Sequence, residues 1–315
     1  MRRVALIYNP VSGQYSARRK AAVQQALDVL RAAGVEAETF VTDTPGSATL
    51  HAEEAVRAGY DAILACGGDG TVHEVLQSLV GTDVALGVIP LGTANALASN
   101  LGLTGAPAKV ARALLAASPM RVPVGRIHFQ NGRGPDSRYF LVAAGVGADA
   151  LLMSRLDPGL KRRFGYVLYL IEAFKIWATD PLPLFEAEFT SNGSGAQRVA
   201  EVSQLLAVRV RSFGGALREF APGATLHSHA LHLIAFGTRS RYLYLRFLLA
   251  VLAGRHTFAR KIELVETATV DCRARNGSLD TLYVEADGEV LGHLPARMET
   301  VPDALMLLVP EGAEP

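Results

Sequence analysis

The chain has 315 residues, 50% of them hydrophobic and 19% charged, with a mean hydropathy of +0.21. That composition excludes a disordered chain and supplies apolar side chains for roughly two domain cores at about 150 residues each. With 31 Lys and Arg against 30 Asp and Glu, the formal net charge of +1 argues against nucleic acid as a partner. Cys66 and Cys272 are too few for a disulfide framework or a four-cysteine zinc site, so a reducing, cytoplasmic setting is expected.

The apolar run after Arg2 and Arg3 covers only about six residues before Asn9-Pro10, too short for a signal peptide. It has instead the pattern of a buried strand, residues 4–8, entering a turn. Residues 17–33 place Ala21, Ala22, Leu27 and Leu30 at helical spacing ahead of Gly34, a helix stop. Next come a strand over 36–41, a helix over 48–58 and a short strand over 62–65. Gly67-Gly68-Asp69-Gly70 breaks the run, and a helix over 72–79, a strand over 85–89 and a helix over 94–101 follow. Strand, polar turn and helix in repetition predict a mainly parallel sheet with covering helices, whose ligands sit at the carboxyl ends of the strands.

Beyond Pro123 the pattern turns to strands, over 138–144, 186–189, 203–211, 230–236, 261–265, 267–272 and 282–286. Helical stretches over 166–177 and 242–253 interrupt them, and residues 131–136 and 192–195 are turns. The second of these helices carries Arg246 and is about half a bilayer span, so a soluble protein is expected. That helix has two readings: an interfacial helix meeting anionic headgroups, or one packed on the β domain. The basic cluster Lys161-Arg162-Arg163 likewise suits a membrane surface or an ordinary solvated helix end.

Three turns carry the chemistry. Gly67, Gly68 and Gly70 leave a backbone whose N–H groups can approach phosphate oxygens, with a helix N-terminus close behind. Asp69 adds a carboxylate, which phosphate tolerates only with a cation between them, so Mg²⁺-nucleotide fits. The plain alternative is a tight turn whose Asp caps the helix. Asn9, Pro10, Ser12 and Gly13 follow the first strand, and Gly92, Thr93 and Asn95 follow the fourth. Taken singly, each is explained by helix capping; all three at one sheet edge form a pocket. Neither G-x-x-x-x-G-K-[ST] nor an opening G-x-G-x-x-G is present.

Asn9-Pro-x-Ser-Gly13, Gly67-Gly-Asp-Gly-Thr71 and Pro90-Leu-Gly-Thr-x-Asn95 together resemble the diacylglycerol kinase catalytic domain family. That family includes bacterial lipid kinases, sphingosine kinases and ceramide kinases. The Gly-Gly-Asp-Gly-Thr element is also shared with NAD kinases. Thr42 matches a nucleotide-contacting position, and the stretches 143–149 and 160–166 resemble the family's second domain. Glu285-Ala-Asp-Gly-Glu289 matches an element whose last Glu is taken as the general base; without the resemblance Glu289 is an ordinary residue after an Asp-Gly turn.

The resemblance runs from about Val4 to about Val309. It implies an α/β N-terminal domain of the NAD kinase and diacylglycerol kinase type over 1–122, with 300–315 returning to it, and a mostly β domain, a β-sandwich, over 123–299. It further implies ATP held by the three turns and Thr42, Mg²⁺ on Asp69, and Glu289 taking the proton of a lipid hydroxyl. The acceptor would be diacylglycerol, phosphatidylglycerol, a sphingoid base or, in the NAD kinase branch, NAD; an inactive binding protein is the non-enzymatic reading. Peripheral contact with the inner membrane face and a homodimer are compatible with this. One departure stands out: after Ala221-Pro-Gly-Ala224, where relatives carry acidic Mg²⁺ ligands, this chain has His227 and His229, poor Mg²⁺ ligands expected on one face of a strand.

Overall fold

The computed structural model describes residues 1–10, 16–155, 174–190, 195–213, 220–253, 261–275 and 282–313. Ser12, Gly13, the basic cluster at 161–163 and most of the predicted helix at 166–177 lie outside the described residues. The chain divides into two compact units, Met1–Val124 with Pro302–Pro315, and Gly125–Val301.

In the first unit, β1 (Arg3–Tyr8), β2 (Glu36–Val41), β3 (Ala62–Gly67) and β4 (Ala85–Pro90) run parallel. β1 lies between β2 and β3, with Leu6 opposite Thr39 on one side and Leu64 on the other. β4 follows β3, and the end of β15 (Glu289–Val309) adds a further parallel strand through Leu307 and Leu86. Every residue from Val4 to Ile7 and from Ala62 to Cys66 is buried, as a strand covered on both faces requires.

The covering helices are α1 (Ser16–Ala32), α2 (Ser47–Arg57), α3 (Asp69–Leu79), α4 (Ala96–Asn100) and α5 (Pro107–Leu115). α1 packs on α5, and α2 on α3. Right-handed crossovers explain the two pairs: the chain leaves β1 outward to β2 and returns across it to β3, putting α1 and α2 on opposite faces. The order β2-β1-β3-β4 therefore reverses direction between β1 and β3. Such a reversal opens a crevice at the carboxyl ends of those two strands.

The second unit is a sandwich of two antiparallel sheets that share β15. One runs β12 (Ile262–Thr267), β11 (Leu231–Phe236), β10 (Gln204–Val208), β7 (Ala143–Gly147), β14 (Tyr283–Ala286), β15. The other joins β9 (Gln197–Val202), β8 (Phe185–Thr190), β13 (Thr269–Ala274) and β15, which also pairs β5 (Ser118–Asn131) and through it β6 (Gly134–Phe140). Phe140, Phe185, Phe189, Leu205, Leu233, Val284 and Met298 fill the core. Each such side chain contributes roughly 1.5–3 kcal/mol by leaving water. α6 (Ala148–Arg155) and α7 (Arg241–Leu252) complete the described elements named here, and residues 174–179 are also helical.

The α/β half and the mostly β half are the expected fold class, with differences of detail. The strand expected over 138–144 is two, β6 and β7, parted at Leu141 and Val142. The cause is the Asp287 carboxylate, which accepts the N–H groups of Leu141, Val142 and Ala143 at 3.0, 2.8 and 3.1 Å. His227 and His229 are exposed in turns ahead of β11, not on a strand. Two carbonyls of that loop, of Leu226 and Ser228, accept hydrogen bonds at 3.2 Å each from Nη2 of Arg209, fully buried directly after β10. Burial lowers its pKa to about 10, against a favourable field from Asp287. Both cysteines are buried and reduced, and burial raises both thiols, Cys272 to about 12. Thiols held protonated in this way are chemically quiet.

Candidate active site

The described turn residues singled out in the first unit gather at the carboxyl edge of its sheet. Asn9 leaves β1 and donates its N–H to Cys66 O at 3.2 Å, joining the ends of β1 and β3. Thr42 directly follows β2, buried, with its N–H on Tyr8 O at 2.9 Å and its hydroxyl on the same carbonyl at 3.4 Å. Gly67 closes β3, and its carbonyl accepts Leu91 N–H at 2.8 Å, joining the ends of β3 and β4.

α3 begins at Asp69 with Gly68 as its N-cap, earlier than the hydrophobic spacing predicts. The amides of its first turn and its positive dipole end therefore belong to this edge. Asp69 reaches beyond its own helix. Its Oδ1 accepts the N–H of Ala96, the first residue of α4, at 2.7 Å. One carboxylate thus ties the glycine turn after β3 to the turn after β4.

Asn95 adopts a left-handed backbone, φ 49°, and its side chain folds back onto Gly92. Oδ1 accepts Gly92 N–H and Nδ2 donates to Gly92 O, both at 2.9 Å. The capping explanation therefore fails for Asn95, whose amide shapes the preceding turn. Gly92 crosses Gly68 so closely that a Cβ on Gly92 would lie 2.5 Å from Gly68 Cα and 2.8 Å from Asn95 Oδ1. Thr93 is exposed beside it, and Thr71 is buried against Gly67.

This is a bare backbone at a topological reversal, with a helix N-terminus and a part-exposed carboxylate. Phosphate groups and a hard cation fit that donor set. Asp69 is the residue there that would ligate Mg²⁺. Among the described residues no group of three His, Cys, Asp or Glu forms a self-contained metal site.

Glu289 belongs to the second unit. It is the exposed first residue of β15, opposite Ala286 across a two-residue turn of Asp287 (φ 49°) and Gly288 (φ 85°). Positive φ at both positions is the tight hairpin turn that Asp-Gly favours. Glu285 Oε2 accepts Gly288 N–H at 2.8 Å, so the turn is braced from within.

Beneath that turn lies a pair of buried acids to which the sequence assigns no role, Asp149 at the start of α6 and Glu285 on β14. Glu285 pairs with Gly145 across the sheet. A Cβ on Gly145 would fall 1.8 Å from Asp149 Oδ2, so only glycine leaves the carboxylate its place. Both Asp149 oxygens are buried, and only the backbone amides of Asp149 and Ala150 favour its charged form. Burial raises Asp149 to about 7, and it raises Glu285 well above the usual carboxylate range, with the charges of Asp149, Asp287 and Glu289 adding to it. An acid directly after a glycine-rich apolar run was the available signal, but the partner that completes the pair is remote in sequence.

The sign of the pH effect follows. The folded chain holds the Asp149 proton more tightly than the unfolded chain, so its contribution is fully present below 3.8 and is lost as pH rises through about 7. Asp149→Asn stays neutral throughout. Its melting temperature should match the wild type at about pH 4 and exceed it by on the order of 5 °C at about pH 8. Thermal unfolding at the two pH values checks this, and a gap that does not change with pH contradicts it.

An α/β unit with a phosphate-fitting edge, followed by an antiparallel sandwich, defines the diacylglycerol kinase and NAD kinase-like class of folds. Residues 3–127 match the diacylglycerol kinase catalytic domain, and residues 141–309 match the YegS C-terminal NAD kinase beta sandwich-like domain. A diacylglycerol kinase of Mycobacterium tuberculosis is 30% identical over 313 residues, covering 98% of this chain and 95% of the relative. One from Bacillus subtilis is 27% identical over 314 residues, covering 99% and 97%. The chain belongs to the diacylglycerol kinase family. In fold it is similar to the crystal structure of a diacylglycerol kinase from Bacillus anthracis, with a TM-score of 0.71 at 20% identity over 99% of this chain and 98% of that one. Yeast NADH kinase, at TM-score 0.52 and 9% identity, covers 98% of this chain and 83% of that one.

Proposed function

We propose that this chain is an ATP-dependent lipid kinase that transfers the γ-phosphate to a hydroxyl of a membrane lipid such as diacylglycerol. The observation that carries the reading is the convergence of Gly68, Asp69, Gly92 and Asn95 at the carboxyl ends of β3 and β4, next to the β1/β3 reversal. Relatives named diacylglycerol kinase over nearly the whole chain support the acceptor class.

The turns at Asn9–Pro10, Gly67–Thr71 and Gly92–Asn95, with Ser12 and Gly13, hold the triphosphate, and Thr42 supports the nucleotide from the end of β2. Bound Mg²⁺, held on Asp69, supplies positive charge to the phosphate oxygens. The lipid hydroxyl oxygen bonds to the γ-phosphorus, the bond to the bridging oxygen of ADP breaks, and Glu289 receives the hydroxyl proton. Phosphorylated lipid and ADP leave. The work is cytoplasmic, with peripheral contact at the inner membrane face.

The test is transfer of labelled phosphate from ATP, in mixed micelles carrying diacylglycerol, phosphatidylglycerol or sphingosine, and to NAD in solution. Transfer to diacylglycerol is expected, falling by about 10²–10³-fold or more in Asp69→Ala. Transfer to NAD alone, or to no acceptor, overturns the reading.

A further inference from the structure

α7 is apolar on both faces, and only one of them is covered. Phe247 and Val251 are buried, and Phe247 sits edge-on to Phe236 at 5.1 Å. Tyr244 stacks on Phe236 at 4.6 Å on the same side. This is the packed helix of the plainer reading. On the other side Tyr242, Leu245, Leu248 and Leu249 are 68%, 38%, 40% and 56% exposed. At 3.6 residues per turn the four occupy one arc of roughly 120°. A helix face turned to water is ordinarily polar, so four large apolar side chains in one arc need another environment.

The surroundings say which. Trp177 Nε1 donates to Arg241 O at 2.9 Å, and Arg241 returns hydrogen bonds to the carbonyls of Trp177 and Asp180 at 2.6 and 3.0 Å. These bonds fix the start of α7 beside the 174–179 helix, which contributes Phe174, 64% exposed. Arg239, Arg246 and Lys175 are exposed nearby, and the sequence from 239 to 253 contains no acid. An apolar arc with cationic neighbours is the chemistry of a helix lying in the plane of an anionic bilayer. At 12 residues α7 spans about 18 Å, short of the ~30 Å needed to cross. A second copy suits the face poorly: a two-fold contact through α7 sets like charges against each other with no acid in that segment to pair them.

We infer that the exposed face of α7 docks in the headgroup region of an anionic phospholipid bilayer. The inference rests on the lipid-kinase reading for its purpose, since the acceptor resides in that bilayer, but its test does not.

Without nucleotide, the purified chain is sedimented with phosphatidylcholine vesicles, with and without phosphatidylglycerol. Wild type should pellet with the anionic vesicles, less so as salt rises. Leu245→Asp with Leu249→Asp should bind at least tenfold more weakly with an unchanged thermal melt. Arg239→Ser with Arg246→Ser should lose roughly 30-fold, from about fivefold per charge, and most of the salt dependence. Equal pelleting of wild type and the Leu245/Leu249 variant overturns the inference. So does a wild-type dimer, seen by analytical ultracentrifugation, that this variant dissociates while neither form binds vesicles. Phosphate transfer to a dispersed short-chain diacylglycerol separates the two readings. If the variant keeps that activity but loses vesicle binding, both stand; if wild type binds vesicles but transfers no phosphate, only the kinase reading falls.

Discussion

Replacing Glu289 with Gln is expected to cut phosphate transfer by about 10²–10⁴-fold while leaving the melting temperature within about 1 °C of wild type. The change keeps shape and hydrogen-bonding capacity and removes only the ability to hold the departing proton. Glu289 is exposed at the mouth of a hairpin whose turn is made by other residues, and its charge acts on the buried Glu285 only as a repulsion, so neutralising it removes no stabilising contact. The effect should therefore appear in kcat, measured with saturating ATP and micellar diacylglycerol, with little change in KM. A rate within about twofold of wild type would assign the proton to another group.

Asp287→Ala should behave in the opposite way, as a failure of structure. Its carboxylate accepts the three N–H groups of Leu141, Val142 and Ala143, and its own N–H donates to Ala143 O at 2.8 Å. Loss of that acceptor leaves neighbouring amides without a partner, and alanine is disfavoured at φ 49°. We expect about 2–4 kcal/mol of lost stability, or roughly 5–15 °C in melting temperature. Asp287→Asn keeps the backbone preference and one acceptor oxygen, so it should fall between the two. Circular dichroism melts of the three proteins decide it; an Asp287→Ala melt within about 1 °C of wild type would mean water replaces the carboxylate without cost. Activity should fall with stability, because the same turn carries Glu289.

What could be read from sequence follows the range of the forces involved. Strands and helices in the first hundred or so residues are set by local periodicity and glycine stops, and the class of fold follows from their alternation. β15 was hidden because Gly292, Pro295 and Pro302 have the look of strand breaks. It is a strand because β14, β13 and β4 pair with it in turn along its length. The division of 138–144 depends on Asp287, far along the chain. The glycine turns were legible as turns, but their mutual fit was not: Asp69 meets Ala96, and Gly92 meets Gly68, only through the order of the sheet. Asp149 and Glu285 meet by strand register alone.

The pairing of Leu307 with Leu86 also sets a timetable. The edge of β4 emerges early in synthesis, and the strand that covers it is made roughly two hundred residues later. Until then the nascent α/β unit presents an unpaired, apolar strand edge, the kind that recruits other chains. A ribosome that stalls short of the final strand would release a product poised to aggregate. The end of β15 thus acts as the seal on a unit whose other parallel strands lie between Arg3 and Pro90.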